Sequence, residues 1–449
     1  MKNNSKEIEA DVVVVGAGPA GIAAAIAAGR LGANVVLIER YGFVGGMSTA
    51  ASVYPWMTFH TESGERVIGG IAQEIVEKLM ERGGSPGHLR DTVGFVRTLT
   101  PYHPEIYKVL AVDMLREAGV RLLAHSFVDQ VERSGERITS VTLTGKSGRI
   151  ALKGRMFVDA SGDADVAYLA GTPTLKGREE DGRSQPMTMK FRMRGVDVEA
   201  IRRAMLDNPG NFYAKTPFDE LDRIPLTGVS GFYEEWAQAD VPINRDQVLF
   251  FIGPEPDEVL VNCTRVQGLD ATDVEDLTQA EEEGRKQVLL MADFLRSRVP
   301  GFGKASISSV AAQIGIRESR RIDGLYRLTI EDVVSGRRFE DGIARSGYPV
   351  DLHDPSGKGV MSAFIANDGA YDIPYRSLVA READNLLAAG RCISTTHEAL
   401  ATTRLTPSCM ATGEAAGTAA ALSCRMGVRT ADLDAGLLRE TLRSAGAIL

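Results

Sequence analysis

The sequence predicts an α/β fold: a layered ββα domain built from both ends of the chain, interrupted by an inserted α+β domain. Three observations predict it. Asp11–Ala25, DVVVVGAGPAGIAAA, runs four valines into glycines and then into small residues, the pattern of a buried strand, a tight turn and a helix. Asn385–Ala389 reads as another apolar strand, followed by a second run of small residues, Cys409–Ala421. Between these ends, from 171 to 365, the chain changes to short strands and one long polar-faced helix.

Size and composition bound the reading. The 449 residues are 44% hydrophobic, enough for a large core in two or three domains. The 51 basic and 60 acidic residues give a net charge of −9 with no long basic run, which argues against a nucleic-acid partner. Cys263, Cys392, Cys409 and Cys424 include no Cys-x-x-Cys spacing. That speaks against a redox disulfide or a metal cluster, and scattered free thiols fit a cytoplasmic location. Val12–Gly29 carries no charge over 18 residues. Its early glycines and proline, and its mixed-charge flank, make it a strand, turn and helix rather than a membrane segment or a signal peptide.

Gly16, Gly18 and Gly21 form the G-x-G-x-x-G fingerprint of a Rossmann-like dinucleotide site. Gly16 permits the turn, Gly18 lets backbone approach a pyrophosphate, and Gly21 lets the helix lie close to the sheet. The anion would sit on the helix N-terminus. A second strand, Asn34–Ile38, ends in Glu39, 18 residues after Gly21. A carboxylate there suits a ribose diol and repels a 2′-phosphate, which leaves FAD and NAD and disfavours NADP.

The next segment, Arg40–Ser48, is a glycine-rich loop where an NAD domain usually begins another βα unit; its backbone donors suit a second approach to phosphate. Val120–Ala124, Phe127–Arg133 and Ile138–Thr144 alternate as three short strands of a meander, leading through Arg149–Val158 into Asp159–Asp163. In the inserted domain, Gln185–Met193, Val248–Ile252 and Val259–Val266 read as strands. Leu277–Leu295 reads as the long helix, with Asp276 and Thr278 as its start signals. Residues 208–244, rich in aromatics and prolines, suit a lid or a contact in a homo-oligomer.

These pieces carry a resemblance. GAGPAG with Glu39, GFVGGMS, VDASGDADVA, AAQIGIRESRRIDGLYRLTIEDV and LLAAGRCISTTHEA…CMATGEAAGTAAAL span nearly the whole chain. Together they resemble the FAD-dependent oxidoreductases with glutathione-reductase-type FAD binding, distantly related to succinate dehydrogenase and fumarate reductase flavoproteins. The resemblance implies FAD held by residues 1–170 and 366–449, with 171–365 as the substrate or cap domain. It implies that Gly16, Gly18, Pro19, Ala20 and Gly21 meet the pyrophosphate, Glu39 the adenosine ribose and Arg40 the adenine end. Gly45, Gly46, Met47 and Ser48 would follow the pyrophosphate and ribitol, Val128 the adenine, and Ala160, Ser161 and Gly162 the adenosine. Gly390 and Arg391 stand where many relatives have Gly-Asp, so a ribitol-binding carboxylate is missing there. The final helix would direct its N-terminus, near Ser408, Cys409 and Met410, at the pyrimidine edge of the flavin, favouring its reduced anion.

Hydride exchange with flavin N5 needs placement and a proton partner. His397, just before the final helix, and His353, flanked by Asp351 and Asp354, are the candidates. His60, His88, His103 and His125 lack a supporting pattern. Arg404 is a candidate anchor, since an arginine fork holds carboxylate. Glu318 in GIRESRRI would pair one of its arginines, and Asn262 and Arg265 are further candidates to reach substrate. The expected activity is that of an FAD-dependent oxidoreductase acting on an organic small molecule. The alternatives are an NAD(P)H-reduced monooxygenase or reductase and a flavin-binding assembly partner without turnover.

Overall fold

The structure is a computed structural model that describes residues 6–367 and 369–449. Its spine is β1 (Lys6–Val15), whose four valines are buried because both faces of the strand are covered. The chain turns at Gly16, with φ of 96°. A Cβ there would stand 2.5 Å from the Ala160 carbonyl oxygen, so only glycine fits. α1 (Pro19–Arg30) opens with proline in its first turn and leads to β2 (Val35–Ile38), parallel to β1.

Two helices, α2 (Gly70–Glu81) and α3 (Pro104–Glu117), precede β3 (Arg121–Leu123). β3 is not part of the meander as expected; it pairs parallel with β2 at the sheet edge. Alternation of residue types reports buried faces, not the partner strand, so these two positions read alike in sequence. The meander is β4 (Phe127–Ser134), β5 (Arg137–Gly145) and β6 (Gly148–Asp159), all antiparallel neighbours. β6 also runs parallel to β1 over its length.

The second sheet is antiparallel. β7 (Phe191–Arg194), β8 (Gly228–Gly231), β9 (Val248–Ile252), β10 (Glu258–Val261) and β11 (Ser306–Val310) take the order β8-β9-β10-β7-β11. Two expected strands are shorter than the sequence suggests. The first joins the ladder only at Phe191, with isolated bridges at Met187 and Thr188. The second stops at Val261 because Thr264 replaces ladder bonds with its side chain: its hydroxyl accepts from Met189 N at 2.7 Å and donates to Met189 O at 2.9 Å. α4 (Val274–Arg298) is longer than expected and is capped by Asp273, whose carboxylate accepts from Glu275 N and Asp276 N. In residues 208–244, Phe212, Phe232 and Trp236 are consumed by the core of this half.

The chain then forms a hairpin, β12 (Val350–His353) and β13 (Val360–Ala363). It returns to the first sheet as β14 (Leu386–Ala388), parallel to the end of β6. α5 (His397–Thr403) and α6 (Thr406–Met426) follow, and the helix read in sequence as the last is succeeded by α7 (Ala435–Ser444), whose Leu438 and Leu442 pack into the core. α6 lies hard against α1: a Cβ on Gly413 or Gly417 would fall 2.1 or 2.0 Å from the carbonyl oxygens of Ala20 and Ala24. The glycines and alanines, each four apart, are the matched flat faces of one helix pair. Of the two large apolar clusters, one joins both chain ends and includes Ile322, Leu328 and Val350; the other runs from Met187 to Ile316.

Candidate active site

A single cavity of about 510 Å³ runs along the C-terminal ends of β1 and β2 and continues under the second sheet. One end is lined by Glu39, Arg40, Ser126 and Val128, and its floor by Gly16, Gly18, Gly46 and Met47. The other end is polar, with Lys190, Arg245, Arg317, Asp351, His353 and Arg404. A volume of this size is that of a small-molecule site.

The first end is built by main-chain geometry. Glu39, at the end of β2, is 4% exposed. It accepts from Ala17 N at 2.8 Å and from Tyr41 N at 2.9 Å. Burial raises its pKa against those two bonds. The space before Gly18 is open: a Cβ there would meet only Gly46 Cα, at 3.8 Å. The first-turn N–H groups of α1 lack intrahelical acceptors and border this space. A bare backbone, free donors and an adjacent carboxylate are the donor set that a dinucleotide requires, so the residues fit FAD.

The SGDAD and GIRESRRI segments, which contribute Ser161, Gly162, Asp165 and Arg317 to the wall, are bonded to each other beside that floor. Arg391 donates to Gly162 O and to Asp163 at 2.7 Å each, and also to Ile316 O. Asp163 accepts from Ser319 as well, at 2.6 Å. Arg320 reaches Asp165 at 2.6 Å. Burial, with Asp163 and Asp159 nearby, pushes Asp165 up to about 6. Glu318 pairs internally with Arg321, and its carboxylate also accepts from Gln185 N at 2.9 Å.

At the polar end, Arg317 donates to Pro186 O at 2.7 Å and to Thr188 Oγ1 at 2.6 Å. Burial and the adjacent Arg404 lower it to about 9. His353 Nε2 stands 3.5 Å from Asp351 Oδ2. Burial and Arg317 push the imidazole down to about 3, outweighing Asp351. Burial alone would raise Asp351, but His353, Arg404 and Arg317 hold it well below the usual range. Lys190 falls to about 7, through burial and then Arg317, Arg404 and Arg192, against Asp351.

Most of the residues expected from sequence meet in this cavity: Gly16, Gly18, Pro19, Ala20, Glu39, Arg40, Gly46, Met47, Val128, Ala160, Ser161, Gly162, Gly390, Arg391, Cys409, His353 and Arg404 line it. Six do not. Gly21 packs under Gly16, where a Cβ would stand 1.8 Å from its carbonyl oxygen. Gly45 donates its N–H to Ala17 O. Ser48 accepts from Trp56 Nε1 at 3.2 Å, Ser408 bonds Ser346 at 3.0 Å, and Met410 is core. His397 is buried behind the wall, with Nδ1 2.7 Å from Glu318 Oε2. α6 begins at Thr406, so Leu405, Thr406 and Cys409 present its first turn to the cavity.

Of the other candidates, Asn262 lines the cavity, while Arg265 donates to the hairpin carbonyls of Asp354, Gly357 and Gly359. His60 and His88 are bonded to Thr98 and Thr100, and His103 caps α3. Sequence reasoning missed Lys190, Arg245, Tyr213 and Tyr348, all of which line the cavity. None stood out in sequence: Lys190 alternates with Met187, Met189 and Phe191 as Thr188 and Arg192 do, the ordinary pattern of a strand with one polar face.

A family model described as FAD dependent oxidoreductase matches residues 11–442. Dihydrolipoyl dehydrogenase of Vibrio cholerae serotype O1 is 51% identical over 51 residues, 11% of this chain and 11% of that protein. Urocanate reductase of Eggerthella lenta is 43% identical over 76 residues, 16% of this chain and 11% of that protein. The matches thus span about a tenth of the length of these curated relatives. The fold is similar to that of p-nitrophenol 4-monooxygenase from Pseudomonas putida DLL-E4, with a TM-score of 0.50 at 12% identity over 97% of this chain and 84% of that one. No helix among the described residues is long and apolar enough to cross a membrane. The family match covers the fingerprint, the inserted sheet and α6 alike, so the chain belongs to the FAD-dependent oxidoreductases and is an FAD enzyme.

Proposed function

We propose that this enzyme exchanges a hydride between an organic small molecule and flavin N5. The observation that supports this most is the continuity of one cavity from Glu39 to the cluster around His353 and Arg404. In this reading the cradle is of glutathione-reductase type, formed by residues 1–170 and 366–449, and 171–365 supplies the substrate wall. Gly16, Gly18, Pro19 and Ala20 hold the pyrophosphate, Glu39 the ribose, Arg40 and Val128 the adenine end, and Gly46 and Met47 the ribitol. FAD supplies the hydride acceptor or donor.

The chain's own residues do the rest. Arg404 and Arg317 orient the substrate, and the second sheet keeps water out. His353, kept neutral by burial and Arg317, is free to take the proton that leaves the substrate, and Asp351, 3.5 Å away, offsets part of the Arg317 charge that opposes the imidazolium. His397 does not line the cavity and acts through Glu318 as a positioning residue. The kinship with succinate dehydrogenase flavoproteins belongs to the same reading.

Anaerobic reduction tests it. Bleaching of the yellow protein by an organic substrate alone is the expected result. Bleaching only by NAD(P)H would replace the reading with a monooxygenase or reductase, and bleaching by neither would replace it with a non-catalytic flavin protein. His353→Ala is expected to slow the bleaching step about a hundredfold or more. An unchanged rate would remove the proton assignment.

A further inference from the structure

The polar end of the cavity carries more positive charge than the protein cancels. Lys190, Arg245, Arg317 and Arg404 line it, and the carboxylates beside them are Asp351 and the solvent-exposed Asp246. Arg317 and Arg404 are held by protein oxygens. Lys190 and Arg245 are different. They are 8% and 6% exposed, both line the cavity, and among the described residues no side-chain hydrogen bond or ion pair of either is present; Arg245 Nε is fully buried without a partner.

Burying a cation without a partner costs several kcal/mol. A fold that places two of them in one cavity wall leaves that cost to be offset by something that enters the cavity. Asn262 Oδ1, also buried and without a partner, lies in the same wall. Leu249, Phe251 and Phe95 supply an apolar side. We infer that the ligand of this end is an organic oxyanion on an apolar body, a carboxylate or a phosphate ester, whose charge is taken by Lys190 and Arg245. This deepens the hydride-exchange reading by naming the substrate class, and it rests on that reading for the word substrate.

The charges facing Lys190 are Arg192, Arg317, Arg404 and Asp351. In their balance the amine titrates at about 7, so at higher pH an arriving anion must restore its proton. Affinity for the anion therefore falls about tenfold per pH unit above about pH 8.

The test uses the FAD-loaded enzyme and three probes: benzoate, phenyl phosphate and neutral benzamide. Binding is read from the flavin difference spectrum and from the thermal unfolding shift. Benzoate, phenyl phosphate or both are expected to bind at least about tenfold more tightly than benzamide, and which of the two wins distinguishes carboxylate from phosphate. Lys190→Met and Arg245→Met each weaken the anion about tenfold or more, leave benzamide unchanged, and in Lys190→Met the pH dependence disappears. Lys190→Arg, which keeps the charge, retains anion binding and keeps the test open if the methionine variant does not fold. Equal binding of benzamide, no binding of any probe, or anion affinity indifferent to Lys190→Met would overturn the inference. Anion binding without bleaching by any organic acid would leave the inference standing and sink the hydride reading; bleaching by a neutral compound without anion binding would do the reverse.

Discussion

Glu414 offers a test of how α6 is seated. The residue is 2% exposed and sits one position after Gly413, where α6 meets α1. Its Oε2 accepts from Ile71 N, at the start of α2, at 2.9 Å, and its Oε1 has no partner. A helix N-terminus favours a carboxylate, but desolvation acts the other way and is larger. Burial raises the group from 4.5 to about 7, with the Ile71 bond and Arg30 opposing. That displacement corresponds to about 3 kcal/mol. The sign follows from which state holds the proton. Between about pH 4.5 and 7 the native carboxyl keeps its proton while the unfolded one has lost it, so stability falls as pH rises. The contribution is fully present below the unfolded value and gone above the folded one. Glu414→Gln keeps the shape and an acceptor for Ile71 N without the charge. In urea unfolding at about pH 5.5 and about pH 8, the wild type should lose about 2 kcal/mol more than the variant, other groups cancelling in the comparison. Equal losses would mean that the carboxylate is ionised in place, held by the α2 N-terminus, and the desolvation argument would fail.

Three further outcomes follow from close contacts. Glu39→Ala removes the acceptor of Ala17 N and Tyr41 N as well as the proposed ribose contact; FAD affinity, measured by flavin fluorescence on dilution, should fall about tenfold or more, and unchanged retention would refute the role. Gly417→Val places a Cβ about 2.0 Å from Ala24 O; α1 must then move off α6, and a loss of about 3 kcal/mol or a colourless protein is expected, whereas a stable yellow variant would show the two helices are not locked. Asp163→Asn takes the countercharge from Arg391, whose guanidinium is otherwise bonded only to carbonyls of Gly162 and Ile316; breaking this buried pair should cost about 3 kcal/mol in unfolding free energy, and a cost under about 1 kcal/mol would show that the carbonyls suffice.

The parts of the fold legible in the sequence are those governed by local rules. The valine run, Gly16 and the small-residue spacing of α1 and α6 each have one cheap structural solution, and the chain takes it. Strand partners were less legible: Arg121–Leu123 and Phe127–Ser134 show similar alternation, yet one extends the parallel edge and the other begins the meander. Nothing local encodes that choice, which is made by where α3 delivers the chain. Thr264 shows the other limit, because a side chain that substitutes for ladder bonds ends a strand without any glycine or proline to announce it.

The same division explains the histidines. His397 has the better position in sequence, just before α6, but α5 turns it inward onto Glu318. His353 comes from a hairpin 44 residues earlier and reaches the cavity because Arg265 and Gln267 hold the hairpin's loop carbonyls. Lys190 and Arg245 lie 55 residues apart in the sequence and share only the cavity wall that both line. A charge cluster assembled from four segments, at Lys190, Arg245, Arg317 and Arg404, has no periodicity to read. Even Lys190 reads as ordinary in sequence: Met187, Met189, Phe191 and Met193 alternate with Thr188, Lys190 and Arg192, so the lysine takes a polar-face position of a half-buried strand, and it becomes a buried cation only when the cavity wall is assembled over that face.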